Sequence, residues 1–181
     1  MAASARSLLS RLPQARTLSR GERRRVMRLL QPLSLAPQAT LYTQDAQPEH
    51  MALLLEGSLV VTTTTADGVT LPLGRVLPGE VIGEMGLLDG APRSATVTCE
   101  REATLLILDR ERFEELERQA DTVLVWLLNI AARGMARRIG VMSERIASAA
   151  VDPEALHTLP GLAGRRPQSL WAWLSSLGAK P

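Results

Sequence analysis

Residues 83–97, "GEMGLLDGAPRSATV", carry the densest candidate chemistry of the chain, setting Glu84 and Arg93 in a largely apolar stretch with three glycines and a proline. A planar guanidinium offers paired N–H donors to two oxygens of one phosphate, so Arg93 suits a phosphodiester. If Gly83 ends a strand and Met85 to Leu88 make a short helical turn, the free amides at its start aim at the same spot. The Ser94 hydroxyl adds a donor. A carboxylate only accepts hydrogen bonds, so Glu84 suits a neighbouring sugar hydroxyl or an arginine. Phosphate beside ribose describes a nucleotide. The alternative is a buried Glu84–Arg93 ion pair, and the charges alone favour it, because such a pair needs no ligand.

Other chemistries find little support. The histidines, His50 and His157, stand far apart, and the single cysteine, Cys99, excludes an internal disulfide and a zinc spacing. Glu84 has no partner carboxylate suited to acid–base work, and no nucleophile–base arrangement is visible. These readings point to a binding protein rather than an enzyme, with no resident cofactor or metal, in a reduced, cytoplasmic setting.

The elements that must position these residues follow from periodicity. "HMALLLEGSLVVTTTT" and "VTLPLGRVLPGE" read as strands joined at Ala66-Asp67-Gly68, with Gly57 and Gly68 supplying unusual backbone angles to turns. "SATVTCE" and "ATLLILD" read as a further pair, with Glu100-Arg101-Glu102 as the turn between them. From Arg110 the pattern becomes helical, and Leu124, Leu128, Ala131, Met135, Ile139, Met142 and Ile146 form one stripe of a long helix. Ahead of the strands, Pro13 and a Ser19 cap followed by Glu22 punctuate helical turns. The expected fold is α+β: a small antiparallel β-barrel or jelly roll flanked by N-terminal helices and a long C-terminal dimerisation helix. Its parts are a helical lead (1–38), the barrel (39–109), helices (110–150) and a tail (151–181) with a short helix bearing Trp171 and Trp173.

Charge is unevenly spread. Residues 1–38 hold eight arginines against Glu22, and residues 39–150 hold ten against sixteen acids, within a net charge of +2. The basic lead reads as a solvated helix face, with nucleic acid, an anionic membrane or a transit peptide as competing readings. No apolar run is long enough to span a membrane.

"LPGEVIGEMGLLDGAPRSATV" resembles the phosphate-binding cassette of the cyclic nucleotide-binding domain family, without a gap. "LLLEGSLVV" resembles the family's early hairpin and "ATLLILDRERFEEL" its last strand and following helix, so the resemblance spans about residues 39–147. It implies that Glu84 accepts from the ribose 2′-hydroxyl and Arg93 clamps the cyclic phosphate. Gly83 and Met85 lend backbone groups, Ser94 donates to the phosphate beside Ala95, and Leu73 and Ile82 line ribose and base. The long helix resembles that of catabolite-activator-like regulators, which implies a homodimer through residues 120–148, with Arg138, Met142 and Ser143 facing the base. Met142 departs from the small hydroxyl residue those regulators place there, and methionine packs on a purine without donating to it. The implied ligand is cAMP or cGMP, with cAMP favoured by the helix.

The 32 residues after Ala149 carry no recognition-helix pattern, which argues against direct sequence-specific DNA binding. The expectation is a sensor acting through an effector protein whose identity stays open. The alternatives are a ligand-free docking module of the same fold and a truncated transcription regulator.

Overall fold

The computed structural model describes residues 4–151, and of Met142 and residues 145–151 the backbone alone. The expected tail helix with Trp171 and Trp173 lies outside the described residues. Two compact units are present, Met1–Ala136 and Arg137–Pro181.

The first unit opens with helix α1 (Ala5–Arg11), a 3-10 helix (Pro13–Thr17) and α2 (Arg20–Leu29). Ser19 and Glu22 form the expected capping box, each side chain bonded to the other's backbone N–H. Strands β1 (Gln31–Leu35), β2 (Thr40–Tyr42), β3 (His50–Thr64), β4 (Thr70–Val76), β5 (Val81–Ile82) and β6 (Thr96–Asp109) follow, with α3 (Glu84–Asp89) between the last two. Asp109 caps α4 (Arg110–Arg118), and α5 begins at Thr122. Strand formation starts at Gln31, inside the segment read from sequence as the helical lead.

The strands form one antiparallel sheet of jelly-roll type, ordered β1-β6-β3-β4, with β2 on β6 and β5 on β3. Two sequence expectations are corrected here. Gly57 lies inside the continuous strand β3, and Glu100-Arg101-Glu102 lies inside the continuous strand β6. The two segments face each other across a run of register shifts, where Gly57 has φ 91° and a Cβ on it would meet the Glu102 carbonyl at 2.2 Å. Both long strands therefore bend together, and glycine is required because the opposing backbone is too close for a side chain. Two of the three charges in the run have partners within the sheet. Glu100 accepts from buried Ser58 and from Arg75, and Arg101 donates to Ser58.

Strand alternation explains the apolar runs. Met51, Leu53 and Leu55 of β3, with Leu106 and Leu108 of β6, pack into a core with α1, α2, α4 and the start of α5. Ala52 and Leu54, with Val97, Cys99, Ala103 and Leu105, face a second core inside the roll. The bulge at Gly57 shifts the parity, so Leu59 joins the inner core.

Within the first unit α5 buries Val123, Leu124, Leu127, Ile130 and Ala131, a face rotated from the expected stripe, in which Leu128 is only partly buried. Two ties fix this end to the helical lead: the Arg25–Asp121 ion pair, and Trp126 Nε1 donating to the Gln14 carbonyl at 3.1 Å. The helix continues to Val151, and in the second unit Ile139 and Val141 are exposed.

Candidate functional site

The site is built where β5 ends and the chain turns into α3. Gly83 makes that turn at φ 84°, a left-handed conformation that disfavours any side chain. A Cβ there would meet Arg93 Nη1 at 2.8 Å, the His50 carbonyl at 3.1 Å and Tyr42 Cε1 at 3.4 Å. The chain therefore approaches Arg93 as closely as glycine allows. Glu84 follows at 1% exposure and Arg93 lies at 4%, so both charges are inside the protein. Gly86 is pressed against Pro48, where a Cβ would come within 2.5 Å. Arg110, the first residue of α4, fastens the same contact: its Nε donates to the Pro48 carbonyl at 3.0 Å and its Nη2 to the Gly86 carbonyl at 3.1 Å.

Arg93 spends its terminal nitrogens on neutral groups. Nη1 donates to the Gly83 carbonyl at 2.8 Å, Nη2 donates to the His50 carbonyl, and the guanidinium carbon lies 4.0 Å over the Tyr42 ring. Nε is buried and makes no hydrogen bond. Among the described residues, contact ion pairs join Arg25 to Asp121, Arg75 to Glu100 and Arg110 to Glu114. Glu84, buried in the same cassette of the sequence, supports the Arg93 charge electrostatically. Burial lowers the Arg93 pKa, Arg110 adds to that, and Tyr42, Glu84 and Glu49 oppose it. Carbonyl dipoles and a ring face stabilise a buried cation while leaving its charge in place.

The family model described as "Cyclic nucleotide-binding domain" matches residues 32–120. Residues 32–120 form a domain of that family. The cAMP-dependent protein kinase regulatory subunit of Dictyostelium discoideum is 28% identical over 119 residues, covering 64% of this chain and 36% of the relative. The cAMP-activated global transcriptional regulator CRP of Salmonella typhimurium is 28% identical over 113 residues, covering 62% of this chain and 52% of the relative. The chain thus spans about half or less of these relatives' length. Among solved structures, a cyclic nucleotide-binding domain from Methylobacillus flagellatus superposes with a TM-score of 0.65 at 21% identity, covering 78% of this chain and 80% of that one, a likeness of fold.

Within the cyclic nucleotide-binding domain, the residues singled out from sequence fall into three groups. Gly83, Glu84, Arg93 and Ala95 form the buried floor, and Ile82 pairs with Ala52 of β3 directly before it. Met85, Ser94 and Leu73 are exposed, and Leu73 stands on β4 beside Gly74, in the sheet row that runs through Val61 to Val97. Arg138, Met142 and Ser143 belong to the second unit, and the Met142 side chain lies outside the described residues.

Sequence reasoning missed Tyr42, the His50 carbonyl and Arg110. None lies in the cassette, and a carbonyl leaves no mark in a sequence. The one available signal was that Tyr42 is the sole tyrosine of a chain with 3% aromatics.

Proposed function

We propose that this chain is a cyclic-nucleotide sensor in which Arg93 clamps the cyclic phosphate and Glu84 accepts from the ribose 2′-hydroxyl. The observation that carries the reading is the Arg93 guanidinium itself, 4% exposed, held by the Gly83 and His50 carbonyls and the Tyr42 ring face, with its Nε making no hydrogen bond. Gly83 and Met85 lend backbone groups, Ser94 and Ala95 close on the phosphate, and Leu73 and Ile82 line the sugar and base. The favoured ligand is cAMP over cGMP, supported by the cAMP named for both curated relatives.

The role is recognition rather than catalysis. Ligand that binds one arrangement of cassette and α5 better shifts the population toward it, and an effector protein that prefers that arrangement reads the change. A homodimer through α5 fits the apolar Ile139 and Val141, 64% and 48% exposed in the single chain.

Calorimetry on the full chain with cAMP and cGMP tests the proposal. It expects saturable binding by the wild type and loss of binding by Arg93→Ala. No heat and no thermal shift from either nucleotide at millimolar concentration would leave a docking module that keeps the fold and binds neither.

A further inference from the structure

The segment from Tyr42 to His50 holds Arg93 at both ends. At the backbone, Arg93 N–H donates to the Ala46 carbonyl at 2.9 Å and Asp45 N–H donates to the Arg93 carbonyl at 2.8 Å. At the head, the Tyr42 ring lies 4.0 Å beneath the guanidinium carbon and the His50 carbonyl takes Nη2. The His50 ring meets the Tyr42 ring edge-on, with centroids 5.9 Å apart and planes at 65°, which braces the tyrosine from the side. A bulge between Thr40 and Tyr42, where β2 pairs with β6, sets the direction from which Tyr42 arrives.

We infer that Tyr42 is a positioning residue for anion recognition, fixing the plane of the Arg93 guanidinium so that its free N–H edge faces the ligand. This rests on the assignment of Arg93 to the phosphate. A guanidinium has five N–H bonds; two point at the Gly83 and His50 carbonyls, and the ring covers one face. The remaining donors, Nε–H among them, lie in a plane that cannot rotate while all three contacts persist. Two carbonyls alone leave the guanidinium free to tilt about the line joining them. The ring face removes that freedom, and a bidentate grip on two phosphate oxygens depends on the plane. Cation–π attraction is strongest when desolvated, and here the guanidinium is buried and the Tyr42 ring half-buried.

The test compares Tyr42→Phe with Tyr42→Leu in the full chain, by calorimetry with cAMP and by NMR of the Arg93 side-chain N–H signals without ligand. Phenylalanine keeps the ring face, so Y42F should bind within about threefold of wild type and keep the ring-current upfield shift of Arg93 Nε–H. Leucine keeps apolar bulk without a face, so Y42L should lose the upfield shift and weaken binding about tenfold, the factor that corresponds to roughly 1.4 kcal/mol. In an Arg93→Lys background, which has no plane to hold, Y42L should change affinity by less than about twofold. Equal binding by Y42L and Y42F, or an equal loss from Y42L in the lysine background, overturns the inference. Wild-type protein that shows the upfield shift but binds no cyclic nucleotide overturns the phosphate assignment instead, so the two failures are distinguishable.

Discussion

Gly83→Ala separates backbone strain from contact with Arg93, because the fold supplies a matched control. Gly83 and Gly68 have nearly the same backbone angle, φ 84° and 81°. Around Gly68 an added Cβ meets nothing within 4 Å, whereas at Gly83 it meets Arg93 Nη1 at 2.8 Å. A left-handed alanine costs about 1–2 kcal/mol at either place. At Gly83 the methyl also has to displace Nη1, weakening its bond to the Gly83 carbonyl, and a hydrogen bond to a charged group is worth roughly 1.5–3 kcal/mol. G83A should therefore lose about 2.5–5 kcal/mol and G68A about 1–2. For a chain of 181 residues each kcal/mol is about 2–4 °C in Tm, so G83A should melt about 5–20 °C below wild type and G68A about 2–8 °C. Urea denaturation measures the difference at constant temperature, and cAMP titration adds a second reading: G68A should bind as wild type does and G83A should not. Equal destabilisation by the two variants would refute the claim that Gly83 is glycine because Arg93 crowds it.

Further outcomes follow from other contacts. Glu84→Gln should weaken cAMP binding about tenfold or more, and the loss should shrink to less than twofold with the 2′-deoxy analogue, since the proposed partner hydroxyl is then missing from both; calorimetry reads both. Burial first, and then Arg93, hold the His50 imidazole below its usual pKa, with Glu49 opposing. The unfolded chain, titrating near about 6.5, then binds the extra proton in the window between the two values, so stability should fall as pH drops below about 6.5 and level off under the folded-state pKa. His50→Gln should flatten that part of the urea-midpoint profile. Trp126→Phe removes the 3.1 Å bond to the Gln14 carbonyl and should cost about 0.5–1.5 kcal/mol with little change in cAMP affinity, checked by urea unfolding and titration.

What the sequence disclosed depended on how far each feature's cause lies along the chain. The cassette from Gly83 to Val97 was legible because turn glycines, a short helix and the returning strand are all local. The Ser19 cap and the start of α4 at Asp109 were legible for the same reason. The bend at Gly57 was misread as a turn, because a glycine beside a charge looks like one until the opposing strand is known. That strand bends at Glu100-Arg101-Glu102, and only the pairing reveals that Ser58 and Arg75 bond Glu100 and that Ser58 also receives Arg101. The stripe on α5 was misplaced by a partial turn, since several apolar faces coexist and the helical lead decides which is covered. Tyr42 escaped notice because its role comes from a ring face laid under a side chain distant in sequence.

The strands β3 and β6 give alternate residues to the two cores, so along these strands both cores hang on the same backbone. Pulling Leu54 out of the roll also pulls Leu53 and Leu55 from beneath the helices. Local opening is therefore closed to these strands, and their central amides should exchange with solvent only through global unfolding, at the same free energy on both faces. Gly83, Glu84 and Arg93 hang from this shared backbone through β5 and the His50 carbonyl. The floor of the site accordingly inherits the full stability of the fold, and a core substitution far from it, such as one at Leu106, should lower the protection of both.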